Sequence, residues 1–175
     1  MRRRRWLVAV SIVIGVAGVS WSKAHSSLFV WNVSRSVPVG LYVIVERPPL
    51  RGELAALRLP EPMRSLADAR RYLATKAILL KPVGALAGDT VCRRGAIVAI
   101  NGRPVARALT VDASGRPLPQ WSGCHDIDER QLFVLSDDQY SFDGRYFGVV
   151  DVHHVIGTAV AVTVQSVLAA AGKSW

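Results

Sequence analysis

A lysine in the most apolar stretch of the chain is the first candidate for chemistry. Lys81 lies within residues 77–86, where every other residue is apolar, a glycine or a proline. A buried ammonium group loses its hydration, and this lowers its pKa from about 10.4 towards the neutral range, where an amine can act as a general base. On composition alone, the alternative that Lys81 extends from a strand end into solvent remains open. The remaining lysines are Lys23, Lys76 and Lys173.

The four histidines are weaker candidates for a catalytic base. Their surroundings are typical of loops and strand edges, so a plain surface or core role is favoured for each of them. A Ser-His-Asp triad nevertheless stays open as an alternative, because the members of such a triad are rarely adjacent in sequence. The histidines are His25, His125, His153 and His154.

Cys92 and Cys124 are the only cysteines in the chain. In an oxidising compartment such a pair predicts one disulfide, which would stabilise the fold by roughly 3–4 kcal/mol in the chain-entropy model. Two unpaired thiols, buried as small apolar groups, are the alternative. Neither cysteine has the spacing of a zinc site. We therefore predict no metal site and no cofactor.

The N-terminus combines a basic tip with an apolar run. Arg2–Arg5 precede residues 6–21, a run broken only by serines and glycines, and Lys23 follows. The run of about 16 residues is close to the shortest that spans a bilayer as a helix. We therefore predict a cytoplasmic tip and transmembrane anchor over 1–24, with 25–175 exported. A cleaved signal peptide is the alternative, although the small-x-small cleavage motif is poor here.

The basic character of the chain is partly explained by this tip. The formal net charge is +9, and four of those charges belong to Arg2–Arg5. A basic excess can indicate nucleic-acid binding, but the motifs of the common DNA- and RNA-binding folds are absent from the sequence. Attraction to anionic lipid explains the charge more simply. We expect membrane lipid to be a partner and nucleic acid not to be one.

Short apolar runs separated by turn residues predict a mainly β domain. Asn101-Gly102 is the favoured sequence of a two-residue hairpin turn. Apolar periodicity over 63–75 predicts one short helix. Residues 107–128 are predicted to be loop, within a loop-rich insertion over 92–128. The predicted strands are 41–45, 54–59, 77–80, 89–92, 95–100, 132–135 and 155–164.

Three segments can be compared with known sequence boxes. They are Asn-Val-Ser-Arg-Ser-Val-Pro-Val-Gly-Leu-Tyr (32–42), Lys-Pro-Val-Gly-Ala-Leu-Ala-Gly-Asp (81–89) and Ser-Phe-Asp-Gly-Arg-Tyr-Phe-Gly (141–148). The first resembles the nucleophile box of conjugative-transfer signal peptidases of the TraF type. The second and third resemble the lysine box and the downstream box of the wider signal peptidase I superfamily. Gly52-Glu53 also stands where that family often has Gly-Asp before a strand.

The resemblance implies a role for each matching residue. Ser36 corresponds to the nucleophile and Lys81 to the general base, while the Ser34 hydroxyl and the Ser36 N–H would form the oxyanion hole. Asp143 would orient the site through Arg145 or a nearby backbone group. The implied fold is a signal peptidase-like all-β catalytic core with one N-terminal transmembrane helix and one short helix.

Three residues depart from the family boxes. Pro82 replaces an arginine, Ala87 replaces a proline and Gly144 replaces a serine. In the family that serine often helps to position the lysine. Its role must therefore pass to Ser141, to water or to no group at all.

The resemblance also implies a substrate and a location. We expect a serine endopeptidase anchored in the bacterial inner membrane, with its catalytic domain in the periplasm. It would process an exported preprotein, a pilin precursor, through an acyl-enzyme and alongside the conjugation machinery. Either hydrolysis or cyclisation would complete the reaction. The alternatives are a general type I signal peptidase, a non-catalytic pilus or secretion assembly factor, and a self-cleaving repressor.

Overall fold

Strands dominate the part of the chain that the computed structural model describes, residues 28–74 and 76–163. The mainly β class is therefore confirmed. Seven strands form one sheet in the order β1-β2-β11-β3-β4-β9-β10, and four form another in the order β7-β6-β5-β8. The strands are β1 (Leu28–Asn32), β2 (Gly40–Val45), β3 (Leu54–Leu57), β4 (Leu79–Ala85), β5 (Thr90–Arg94), β6 (Ile97–Ile100), β7 (Arg103–Arg107), β8 (Gly123–Asp126), β9 (Gln131–Val134), β10 (Val150–Asp151) and β11 (Val155–Ala161).

The described residues contain two α-helices, where the sequence predicted one. Helix α1 (Met63–Ala69) is shorter than the predicted 63–75, and Arg71 adopts a positive φ of 59°, which is not helical. Helix α2 (Gly144–Phe147) was missed because four residues are too few to show a helical period. A 3₁₀ turn follows at Val152–His154.

The smaller sheet confirms one prediction and corrects another. Asn101 and Gly102, with φ angles of 49° and 77°, join β6 to β7 as the predicted hairpin. The loop predicted over 107–128 is wrong at its end, since β8 pairs there with β5. All four residues of β8 are exposed, so its sequence lacks the alternation that marks a half-buried strand. Cys92 and Cys124 form a disulfide across this pair of strands.

Strands β3 and β4 lie at the centre of the larger sheet and are buried on both faces. Because side chains alternate along a strand, neighbouring residues of β3 enter different cores. Ala55 and Leu57 pack in a cluster with Leu79 and Val83. Ala56 packs in a separate cluster with Leu80. Strands buried on both faces read as continuous apolar runs, which is why this part of the sequence is so hydrophobic.

The predicted anchor over residues 1–24 lies outside the described residues. No helix in the described ranges is both long and apolar enough to cross a bilayer.

Candidate active site

The Lys81 amine and the Ser36 hydroxyl lie within hydrogen-bonding distance. Lys81 Nζ is 2.9 Å from Ser36 Oγ, although 45 residues separate them in sequence. Lys81 lies in β4, opposite Ala55 of β3. Ser36 lies in the loop that connects β1 to β2. The regular strand and the irregular loop thus each contribute one group to the pair.

Burial makes Lys81 a weaker base than an ordinary lysine. Its side chain is only 6% exposed. Loss of hydration lowers the pKa of Lys81 from 10.5 to about 8, Asp143 and Asp138 oppose this shift, and Arg145 adds to it. An amine with a pKa near 8 exists partly in the neutral form at neutral pH and can accept a proton from a hydroxyl. The alternative that Lys81 extends from a strand end into solvent therefore does not hold in this structure.

Asn32 holds the loop that carries Ser36, which we call the nucleophile loop (residues 33–39). The buried Asn32 side chain donates through Nδ2 to the carbonyl oxygens of Ser34, Val37 and Pro38, at 2.8, 3.1 and 3.0 Å. Its Oδ1 accepts from the Ser34 N–H at 3.1 Å. Tyr42 adds a hydrogen bond from its hydroxyl to the Pro38 carbonyl at 2.8 Å. One amide side chain thereby binds three carbonyl groups and one N–H group of the loop.

Ser34 lies beside the proposed nucleophile. Its Oγ is 2.9 Å from Ser36 Oγ and 3.1 Å from Asn32 Oδ1. Because Asn32 Oδ1 can only accept, the Ser34 hydroxyl donates its proton to Asn32. Ser34 is exposed and thus accessible to a substrate, and donation to a substrate would replace its hydrogen bond to Asn32.

Ser141 also contacts the Lys81 amine. Lys81 Nζ donates to the buried Ser141 Oγ at 2.7 Å. No side chain fits at Gly144, because a Cβ there would lie 2.5 Å from Phe133 Cε2 and 2.6 Å from the Val134 carbonyl oxygen. The serine that often stands at position 144 in the family is missing here, and its role could pass to Ser141, to water or to no group. In this structure Ser141 contacts the lysine.

Asp143 and Arg145 form a buried ion pair behind the lysine. They are 0% and 2% exposed, and both nitrogen–oxygen contacts are short: Nε–Oδ1 is 2.9 Å and Nη2–Oδ2 is 2.8 Å. Asp143 also caps α2 by accepting from the Arg145 N–H. Arg93, from the smaller sheet, donates to the Arg145 carbonyl oxygen at 2.6 Å. The ion pair is thus held between the two sheets.

Two residues at the site received no role from sequence reasoning. Asn32 is the first residue of the nucleophile box, and its position there was the signal that could have identified it. Ser136 lies outside all three boxes, yet its hydroxyl donates to the carbonyl oxygen of Ser36 at 2.7 Å. No sequence signal marks Ser136.

A cleft of about 600 Å³ opens over Ser36 and Lys81. Its lining includes residues 30–36 and residues 77–81, and the last three of these belong to β4. Aromatic side chains also line the cleft, and among them Phe142 packs against Tyr72 with ring centroids 5.3 Å apart. A largely apolar cleft with a few polar groups at one point is typical of a substrate-binding site.

None of the three histidines in the described residues takes part in this arrangement. His125, His153 and His154 lie outside the lining of the cleft. His153 instead contacts Asp151 on the surface, with Nδ1 2.6 Å from Oδ1. His25 lies outside the described residues.

The chain belongs to the signal peptidase family S26, whose family model, "Signal peptidase, peptidase S26", matches residues 3–164. Within that family it is similar to conjugal transfer proteins. It is 34% identical to "Plasmid transfer protein TraF" of Escherichia coli, over 71% of this chain and 77% of that protein. It is 32% identical to "Probable conjugal transfer protein TraF" of Sinorhizobium fredii (strain NBRC 101917 / NGR234), over 92% of each.

The resemblance inferred from the three boxes is therefore confirmed, and the chain is a serine peptidase of the signal peptidase type. Among solved structures, a signal peptidase I from Enterococcus faecalis V583 is 23% identical, with a TM-score of 0.37 over 67% of this chain and 98% of that chain.

Proposed function

We propose that this chain is a membrane-anchored endopeptidase that cleaves an exported precursor, most specifically a pilin precursor in conjugative transfer. Ser36 is the nucleophile and Lys81 the general base. The observation that carries the proposal is the 2.9 Å separation between Lys81 Nζ and Ser36 Oγ, in surroundings that keep the lysine 6% exposed. A nucleophile and its base need this distance for proton transfer.

The first chemical step uses the hydrogen bond between the two residues. Neutral Lys81 accepts the Ser36 hydroxyl proton as Ser36 Oγ forms a bond to the scissile carbonyl carbon. Ser141, which accepts from Lys81 at 2.7 Å, keeps the amine directed during this transfer. The scissile C–N bond then breaks, and the leaving amine takes its proton from Lys81. The product of this step is an ester between Ser36 and the acyl part of the substrate.

Stabilisation of the tetrahedral intermediate is assigned to Ser34 and the backbone of Ser36. Within residues 28–74 and 76–163, the Ser36 N–H has no hydrogen-bond acceptor and is therefore available to an oxyanion. The Ser34 hydroxyl lies 2.9 Å from Ser36 Oγ and can rotate towards the same position. Donors placed where negative charge develops contribute strongly to acyl transfer.

The second step resolves the ester in one of two ways. Water attacks in hydrolysis, whereas an amine of the substrate attacks in cyclisation, and Lys81 accepts the proton in both cases. Water returns a linear, shortened chain. Capture by an amine returns a ring that lacks one further water.

Exposed apolar side chains around the nucleophile loop support action at a membrane surface. Trp31 and Val33 are 65% and 76% exposed, and Phe29 and Val39 are each 60% exposed. An apolar patch beside an active site is typical of an interaction surface. We propose that this patch contacts inner-membrane lipid on the periplasmic side, where the anchor over 1–24 would hold it.

The assignment to conjugation is supported by the TraF relatives, which are named plasmid or conjugal transfer proteins. We accordingly propose that the partners are an exported precursor and the conjugation machinery.

The proposal is tested by co-expressing the chain with a pilin precursor and measuring the intact mass of the products. Wild type should process the precursor, and Ser36→Ala and Lys81→Ala should both leave it intact while remaining folded by circular dichroism. A product lighter by one water than the linear form would identify cyclisation. Full activity in Lys81→Ala would refute the choice of base. An unprocessed precursor with wild type would refute the pilin substrate, and cleavage of many unrelated preproteins would favour a general signal peptidase.

A further inference from the structure

A buried serine outside the sequence boxes contacts the backbone of the proposed nucleophile. Ser136 follows β9 and is 3% exposed. Its Oγ donates to the carbonyl oxygen of Ser36 at 2.7 Å, across a separation of 100 residues. In the described part of the chain, this bond ties the segment after β9 directly to the residue that carries the nucleophile.

The direction of this hydrogen bond is set by its surroundings. The Asp138 N–H donates to Ser136 Oγ at 3.2 Å, so that oxygen already acts as an acceptor. A carbonyl oxygen cannot donate, so the hydroxyl proton of Ser136 must point to Ser36. The Ser136 side chain therefore has one orientation in which both of its hydrogen bonds are made.

The backbone of Ser136 is held by the buried ion pair. Its N–H donates to Asp143 Oδ2 at 3.0 Å, and its carbonyl oxygen accepts from Arg145 Nη2 at 2.6 Å. Asp143 and Arg145 are both fully buried, so they cannot shift without leaving charges unpaired. Ser136 consequently has little freedom to move, although it lies outside regular structure.

We infer that Ser136 is a positioning residue, which transmits the rigidity of the Asp143–Arg145 ion pair to the nucleophile by fixing the peptide group that follows Ser36. The inference rests on the proposed function, because it assumes that Ser36 is the nucleophile. It also explains how Asp143 and Arg145 orient the site: they hold the backbone of Ser136, and Ser136 holds the backbone of Ser36. A side chain whose reacting atom must be held within a few tenths of an ångström needs such support.

A positioning role differs measurably from a purely structural one. Ser136 has no hydrogen bond to Lys81 among the described contacts, and the charged groups that act on Lys81 are Asp143, Asp138 and Arg145. All three remain in Ser136→Ala. The variant should therefore lower the rate of the chemical step without moving the pH at which the base titrates. A structural role alone would reduce the folded fraction and leave the turnover of each folded molecule unchanged.

The experiment compares full-length Ser136→Ala, Ser136→Thr and wild type, each in detergent with the purified precursor as substrate. Active molecules are counted from the folded fraction in urea unfolding. We expect kcat of Ser136→Ala to fall about 10- to 100-fold, with KM within about twofold and an unchanged midpoint of the pH–rate profile. Ser136→Thr retains the hydroxyl and should recover most of kcat. Ser122→Ala, an exposed serine, is the matched control and should behave as wild type.

Ser136→Cys provides a further variant if Ser136→Ala fails to fold, since it preserves the shape with a weaker donor and should give an intermediate kcat. Wild-type kcat in Ser136→Ala, or a shifted pH midpoint, would overturn the inference while leaving the proposed function intact. A wild-type enzyme that does not cleave the precursor would instead overturn the proposed function.

Discussion

The two halves of the proposed dyad are built in different ways. Lys81 lies in a central strand, where the backbone ladder fixes its position and burial sets its pKa. Ser36 lies in an irregular loop, where the side chains of Asn32, Tyr42 and Ser136 hold the backbone. The lysine is thus controlled by desolvation and the serine by directed hydrogen bonds.

The two arrangements should have different effects on the stability of the fold. A charge buried in a central strand reduces stability, because the ammonium group loses its hydration. A loop held by polar side chains keeps its shape only while each hydrogen bond is made, since buried polar groups left without partners are costly. Burial of Lys81 should therefore lower the stability of the fold, while the position of Lys81 should be insensitive to changes nearby. The hydrogen bonds around Ser36 should contribute to stability, while the position of Ser36 should be sensitive to the loss of any one of them.

The largest effect should come from removing either member of the dyad. Ser36→Ala and Lys81→Met should each lower kcat/KM by at least about 10³-fold. Their stabilities should differ: removing the buried amine relieves roughly 3 kcal/mol at pH 7, while the lost hydrogen bond to Ser141 costs about 1 kcal/mol. Lys81→Met should therefore be about 2 kcal/mol more stable than wild type in urea unfolding.

The pH dependence of that difference provides a check on its cause. The folded-state pKa of Lys81 is about 8 and the ordinary value is 10.5, so between these values only the unfolded chain binds the proton. Wild-type stability should thus rise with pH across this window, and the advantage of Lys81→Met should disappear by about pH 10.5. Lys76→Met, at an exposed lysine, is the matched control. An advantage that is independent of pH would show that the buried charge is not its source.

Asn32 should give the next largest effect, because it holds three carbonyl groups of the nucleophile loop. Asn32→Ala should lower kcat about 100-fold and the free energy of unfolding by about 2–3 kcal/mol. Asn32→Asp keeps the shape and the acceptor but loses the donors, and it should be as impaired. Kinetics on the precursor and urea unfolding measure both quantities. Near-normal activity in Asn32→Asp would show that the loop does not depend on these hydrogen bonds.

A smaller effect is expected from pH itself. With a pKa of about 8, the neutral form of Lys81 rises from roughly one-tenth at pH 7 to roughly nine-tenths at pH 9. The wild-type kcat/KM should accordingly increase about tenfold over this range and then level off. A pH–rate profile on the precursor measures the midpoint. A midpoint near 10 would mean that the lysine is hydrated in the working enzyme.

The smallest effect on activity is expected in the smaller sheet. The double variant Cys92→Ala/Cys124→Ala removes the disulfide between β5 and β8, which lies in a different sheet from Lys81. Activity should stay within about twofold of wild type, while stability falls by about 3 kcal/mol because the cross-link spans 32 residues. Urea unfolding with and without reductant provides the measurement. A large loss of activity would indicate that the smaller sheet supports the site through Arg93 and Arg145.

Sequence patterns predicted several of the apolar strands. They placed the buried strand β4 at 77–80, whereas it spans Leu79–Ala85, because Lys81 and Pro82 interrupt its apolar run. The apolar runs of β2, β3 and β9 lie within one or two residues of their predicted bounds. Strand β8 was assigned to a loop, because its four exposed residues have no apolar alternation. Strand pairing at an exposed edge depends on backbone hydrogen bonds, which the side-chain pattern does not report.

Within the candidate site, the sequence alone indicates which residue types are suited to the proposed chemistry. The three boxes name Ser36, Lys81 and Ser141, and the apolar run around Lys81 predicts its lowered pKa. Local sequence was sufficient here because each box is contiguous and the hydrophobicity of a central strand is itself a sequence property.

Only the tertiary structure decided which groups meet. It placed Ser36 against Lys81 and Ser136, gave Ser141 the contact with the lysine, and left no room for a side chain at Gly144. These contacts join segments 45 to 100 residues apart. The packing of β3, β4 and β9 around a shared core determines which segments come into contact. No pattern within a single segment contains that information.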